Sequence, residues 1–138
     1  MTLLIYTQLV LICFLLVQAW LHKLQIEEGH GINHQSAGAF KLFVTALLSM
    51  IFLSGAMPFF WIGVNRLISY WLLLLFESWL FFDIFLNVLR NKKWYYIDIT
   101  YDDDPALLDV LFKGNWKLML LVKLVGISLC VYWLSYYL

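Results

Sequence analysis

Charge is what this chain has least of. Only 13% of its 138 residues are Asp, Glu, Lys or Arg, about half the share of a typical soluble domain, so a globule this small cannot clothe its surface against water. A basic excess is also missing. The formal net charge is zero, and a nucleic-acid binder, which needs a cationic face to release counterions, is excluded. Cysteine is confined to Cys13 and Cys130; both fall in apolar stretches without metal-ligand spacing and read as buried free thiols. No GxSxG, Ser-x-x-Lys, P-loop or dinucleotide fingerprint occurs. The expectation is therefore a protein without catalytic activity or cofactor.

What the chain does have is 64% hydrophobic and 19% aromatic residues, gathered into four apolar stretches at residues 2–21, 42–64, 67–89 and 118–138. A helix needs about 20 apolar residues to cross a hydrocarbon core of about 30 Å. The expected fold is all-α: a single polytopic membrane domain over residues 1–138. Its four transmembrane helices lie near 3–22, 40–62, 67–89 and 116–136, with a polar segment at 91–115. The first stretch reads as a retained span, because it lacks a basic n-region, its apolar run exceeds that of a signal peptide, and the small-residue site Ala37-Gly38-Ala39 comes too late.

Local signals refine this layout. Trp20 and His22 suit the interface at the end of helix one, and Lys41 is placed to snorkel toward the headgroups from the start of helix two. Pro58 is expected to end or kink helix two, and Gly63-Val64-Asn65-Arg66 to form the tight link to helix three. Trp94-Tyr95-Tyr96 suits the headgroup level, and Ile97 to Tyr101 alternates like a short extended piece. Asp104-Pro105 starts a short helix whose Leu107, Leu108, Leu111 and Phe112 share one side, an interfacial helix between helices three and four.

Four spans put both termini and Arg66 on one side, and Lys23, Lys41, Arg90, Lys92, Lys93, Lys113 and Lys117 on the other. The positive-inside rule then places the long loops in the cytoplasm and both termini outside it, in a bacterial inner membrane.

Three sets of residues are candidates for chemistry. Asp83 and Lys123 lie about seven residues from the same end of helices three and four, a depth at which an unpaired charge is costly, and are expected to pair. At about 100° per residue, Asp83, Asn87 and Arg90 share a face, so these four, with His34 in reach, form a candidate polar network. Glu77, rotated about 120° from that stripe, is a candidate proton or ion site. The plainer reading is a neutral carboxyl hydrogen-bonded across helices to Thr45, Ser49 or Ser128. Finally, His30 and His34 are weak metal candidates at helical spacing, with Asp102, Asp103 and Asp104 on the same side of the membrane. Gly29 and Gly31 disfavour a helix there, and a solvated loop is the plainer reading. The acidic run lacks the glycine and distal glutamate of a calcium loop and reads as a turn and helix cap.

The string Phe82-Asp83-Ile84-Phe85-Leu86-Asn87-Val88-Leu89-Arg90, followed by Lys93-Trp94-Tyr95-Tyr96-Ile97, resembles a pattern in small, functionally uncharacterised polytopic membrane proteins of bacteria and their phages. There a His segment precedes a span, and an FDxxxNxxR helix end runs into an aromatic stretch. The resemblance covers about a third of the chain, matches His34, Asp83, Asn87, Arg90 and Trp94, and implies no activity. The function expected is a non-catalytic accessory or scaffolding subunit in the lipid bilayer, as a homo-oligomer or beside a membrane-protein partner. The alternatives are a pore, holin-like or ion/proton transport subunit using Glu77 and Asp83, and a membrane metalloprotein using His30 and His34.

Overall fold

The computed structural model describes residues 2–29, 34–53, 60–96, 112 and 115–137. Among them the regular structure is all α: α1 (Thr2–Glu27), α2 (His34–Leu53), α3 (Phe60–Leu89) and α4 (Trp116–Tyr137). Three helices are long and apolar enough to cross a membrane, over Ile5–Glu27, Gly63–Leu89 and Trp116–Tyr136; α2 is apolar over the shorter Ala37–Ile51.

The helix ends have local causes. α1 continues through Gln25 and Glu27, beyond the expected span near 3–22, and Lys23 and Glu27 pair one turn apart at 3.5 Å. It stops where Gly29 takes φ 75°, and the Gly29 amide donates to the Ile26 carbonyl at 3.2 Å. A residue with a side chain is strained at that φ. α2 opens at His34, directly after the capping-type residue Asn33 in the sequence.

The expected link at Gly63 to Arg66 is a correction: those four residues are helical, inside α3. A lone glycine or asparagine does not break an apolar helix, whereas Ser54, Gly55 and Pro58 cluster upstream. α2 and α3 are thus joined through residues 54–59, outside the described set. The alternating piece at 97–101, the acidic run at 102–104 and the interfacial helix at 105–113, Phe112 excepted, also lie outside it.

α3 ends in a Schellman turn. Asn91 takes φ 56°, its amide donates to the Val88 carbonyl at 3.0 Å, and the Lys92 amide donates to the Asn87 carbonyl at 2.9 Å. Asparagine tolerates this left-handed position better than other residues with a side chain. α4 is capped by Asn115, whose Oδ1 accepts from the Leu118 amide at 3.2 Å.

α3 is the hub, packing on α1, α2 and α4; α1 also touches α2, while α4 touches α3 alone among the described helices. The buried side of α1 is Thr7, Leu11, Leu15, Gln18, Ala19 and His22. The buried side of α4 is Met119, Lys123, Gly126, Cys130 and Leu134, the seam spacing of a close helix pair. At Gly126 a Cβ would overlap the Phe76 ring, so glycine sets how near α4 comes to α3.

Candidate functional site

The structure brings Asp83 and Lys123 together. The Lys123 Nζ donates to the Asp83 Oδ2 and to the Trp79 carbonyl at 3.4 Å, and lies 4.5 Å from the centroid of the Trp79 ring. The Lys123 side chain is 2% exposed and that of Asp83 32%. A lysine this buried is tolerable only because carboxylate, carbonyl and ring replace its hydration.

Lys41 joins them from α2, a correction to its expected outward snorkelling. Its Nζ sits 3.3 Å from the Phe82 ring centroid, close enough to Asp83 and Lys123 to feel both charges. The cause is the early start of α2, which places Lys41 two turns inside the helix. His22 also turns inward rather than to an interface, buried and edge-on to Phe82 at 5.2 Å, whereas Trp20 is exposed.

Asn87 does a different job from the one its place on the stripe suggested. It is buried, and its Nδ2 donates to the carbonyls of Trp94 at 3.1 Å and Tyr96 at 2.8 Å. It therefore clamps the chain after the Schellman turn back onto α3. Arg90 stands in that turn, past the end of the helix. His30 and the side chain of His34 lie outside the described residues. Among the described residues no group of three or more His, Cys, Asp or Glu is placed to hold a metal.

The clamped turn meets the start of α4 through aromatic rings. Tyr95 stacks on Trp116 at 4.5 Å and 26°, and Trp94 stands edge-on to both, at 5.3 Å and 6.1 Å. Between this layer and the ion pair is a cavity of about 30 Å³ lined by Asp83, Asn87, Trp94, Tyr95, Trp116 and Lys123, among others. That is room for a water molecule or two, well short of a small-molecule site of several hundred Å³.

Glu77 occupies a second polar cluster. None of the three partners expected from the sequence reaches it. The hydroxyls of Thr45, Ser49 and Ser128 donate to carbonyls of their own helices. The Glu77 Oε2 is instead buried without a hydrogen-bond partner among the described residues. About two turns back along α3, Tyr70 is fully buried and hydrogen-bonded to Thr7. Trp71 Nε1 donates to Thr45 Oγ1 at 3.2 Å, which fastens α3 to α2. Thr7 and Gln18 of α1 were not singled out in the sequence; the signal was that they fall on one helical face with Leu11, Leu15 and His22.

Comparison with protein-family models, with curated proteins and with solved structures gives no match.

Proposed function

We propose that this chain is a four-span integral membrane protein with a non-catalytic accessory or scaffolding role. Its two longer, lysine-bearing loops are cytoplasmic and both termini are outside, in a bacterial inner membrane. Three helices of spanning length support the insertion, as do the large apolar side chains exposed along α1, α2 and α4, which only lipid or another apolar surface covers without cost. The likeness to the small bacterial and phage proteins belongs to the same proposal.

The observation that carries the non-catalytic reading is Lys123. Among the described residues its ammonium meets Asp83, the Trp79 carbonyl and the Trp79 ring, so the charge is spent on holding α4 against α3 rather than displayed to a substrate. The nearby cavity of about 30 Å³ is too small for one.

The test has two arms. Reconstituted into liposomes loaded with a pH-sensitive dye, the full chain leaves the vesicles sealed. A photo-crosslinker at Leu129 or Tyr132, both exposed on α4, gives discrete protein adducts in native membranes; an adduct of twice the chain mass identifies a homo-oligomer. Adducts to lipid alone overturn the scaffolding role. A second reading, an ion or proton transport subunit, is favoured by the unpartnered Glu77 Oε2. Proton flux that Glu77→Gln abolishes establishes it in place of the first.

A further inference from the structure

We propose that the turn after α3 and the first turn of α4 form one binding site for an anionic phospholipid headgroup, with Lys92, Lys93 and Lys117 on its phosphate. The proposal rests on the membrane reading above. Two sequence couplets more than twenty residues apart, Lys93 to Tyr95 and Trp116 to Lys117, become one surface because Tyr95 stacks on Trp116. The Lys93 Nζ lies 5.8 Å from the Tyr95 ring centroid and the Lys117 Nζ 5.8 Å from that of Trp116, so each ring of the same stack has an ammonium group beside it. Lys92 adds a third, 5.1 Å from the Tyr96 ring.

All three lysines are exposed, and among the described residues none is paired with a carboxylate. Among the described residues these three cations meet ring faces and no carboxylate, a local excess of positive charge that suits an anion. They are also held in place. The Schellman turn and the two Asn87 hydrogen bonds fix Lys92 and Lys93, and Asn115 caps the turn that carries Lys117. A preorganised site loses less on binding than one whose side chains ride a loose loop.

The surroundings select a lipid over a dissolved anion. Trp94, Tyr95 and Trp116 are the ring types that settle at the headgroup layer, which puts the ammonium groups beside them at phosphate level. Val88 on the last turn of α3 and Leu118 on the first of α4 are exposed and supply apolar surface for an acyl chain. Basic pockets between helix ends on the cytoplasmic side suit such headgroups.

The test is native mass spectrometry of the detergent-solubilised full chain, given equal phosphatidylglycerol and phosphatidylcholine. The wild type retains phosphatidylglycerol about tenfold or more over phosphatidylcholine. Each single Lys→Gln change lowers that preference about fivefold, and K92Q/K93Q/K117Q removes it. The corresponding triple arginine variant keeps it, as does R66Q at the opposite end of α3, and circular dichroism shows that all variants remain helical. Equal retention of the two lipids, or a preference that survives the triple glutamine change, overturns the proposal. So does loss of phosphatidylglycerol to matched inorganic phosphate, which would assign the lysines to a free anion. Release of the chain from membranes by alkaline carbonate would refute the membrane reading; a chain that stays with the membrane yet shows no lipid preference refutes the headgroup site alone.

Discussion

Removing one member of the Asp83–Lys123 pair should cost very different amounts depending on which is removed. Asp83→Asn leaves an ammonium 2% exposed that has lost its countercharge and keeps neutral acceptors, the new amide oxygen and the Trp79 carbonyl at 3.4 Å, beside the Trp79 ring at 4.5 Å. An orphaned buried charge costs about 3–5 kcal/mol. Lys123→Met leaves a carboxylate that is 32% exposed and still close to the charge of Lys41, so its loss should be about a third to a half of that. Replacing both, Asp83→Asn with Lys123→Met, removes the uncompensated charge and should cost less than the sum of the singles by about 1.5 kcal/mol or more. Cys130 reports the event, because it is 5% exposed on the side of α4 that faces α3 and is labelled only when the two helices part. In a Cys13→Ser background, needed because Cys13 is exposed rather than buried as expected, and in mild detergent titrated with sodium dodecyl sulfate, Asp83→Asn should raise Cys130 labelling by roughly two to three powers of ten, at about 1.4 kcal/mol each. Equal effects of the two single changes, or a double change equal to their sum, would refute the reasoning.

Other perturbations follow from the same geometry. Asn91→Val, at φ 56°, should destabilise the end of α3 by about 1–2 kcal/mol, while Asn91→Gly is neutral or better, read as hydrogen exchange at Lys92 to Tyr96. Asn87→Ala frees the carbonyls of Trp94 and Tyr96 and should cost about 2 kcal/mol, with increased exchange in the same segment. Gly126→Ala forces the Phe76 ring aside and should cost about 1–3 kcal/mol by the Cys130 assay; Gly126→Leu should release α4 altogether. Tyr70→Phe deletes the bond to Thr7 but should cost only about 0.6 kcal/mol, a typical interhelical value in membranes.

The all-α class and the four described helices were legible because an apolar run of about 20 residues has few other solutions, although only three of the four reach spanning length and α2 is apolar over the shorter Ala37–Ile51. The Asp83–Lys123 contact was legible too, since two opposite charges at equal depth on apolar helices have strong reason to meet. Boundaries were harder to read. Gly63 and Asn65 looked like a turn, yet helix propensity measured in water says little about an apolar helix whose backbone bonds have no solvent competitor. The surroundings of Glu77 and Lys41 were hidden for another reason: which face of α1 or α2 meets α3 is set by packing across all three helices. The α1 face carrying Thr7, Leu11 and Leu15 is scarcely more polar or apolar than its opposite, so amphipathicity gives no direction. Asn87 misled because its position on the stripe is real but its amide points to a turn formed only after the helix ends.

The polar contacts of α3 are arranged so that each neighbour receives its own. Tyr70 bonds Thr7 of α1, Trp71 reaches Thr45 of α2, and Asp83 holds Lys123 of α4. In lipid, apolar faces have little preference for one another over acyl chains, so register falls to close packing and to such directional bonds. The bonds to α1 and α2 are neutral or single, and those helices also touch each other through Phe14 and Phe40 at 5.5 Å. α4 lacks any second helix among the described elements, and it is the helix given the charged pair and the glycine contact. The strongest fastener thus sits where the packing is thinnest. It follows that loosening the pair should detach α4 while leaving α1, α2 and α3 assembled, so that Asp83→Asn frees Cys130 to react while the Phe14–Phe40 contact, followed by a cysteine crosslink between those positions, persists.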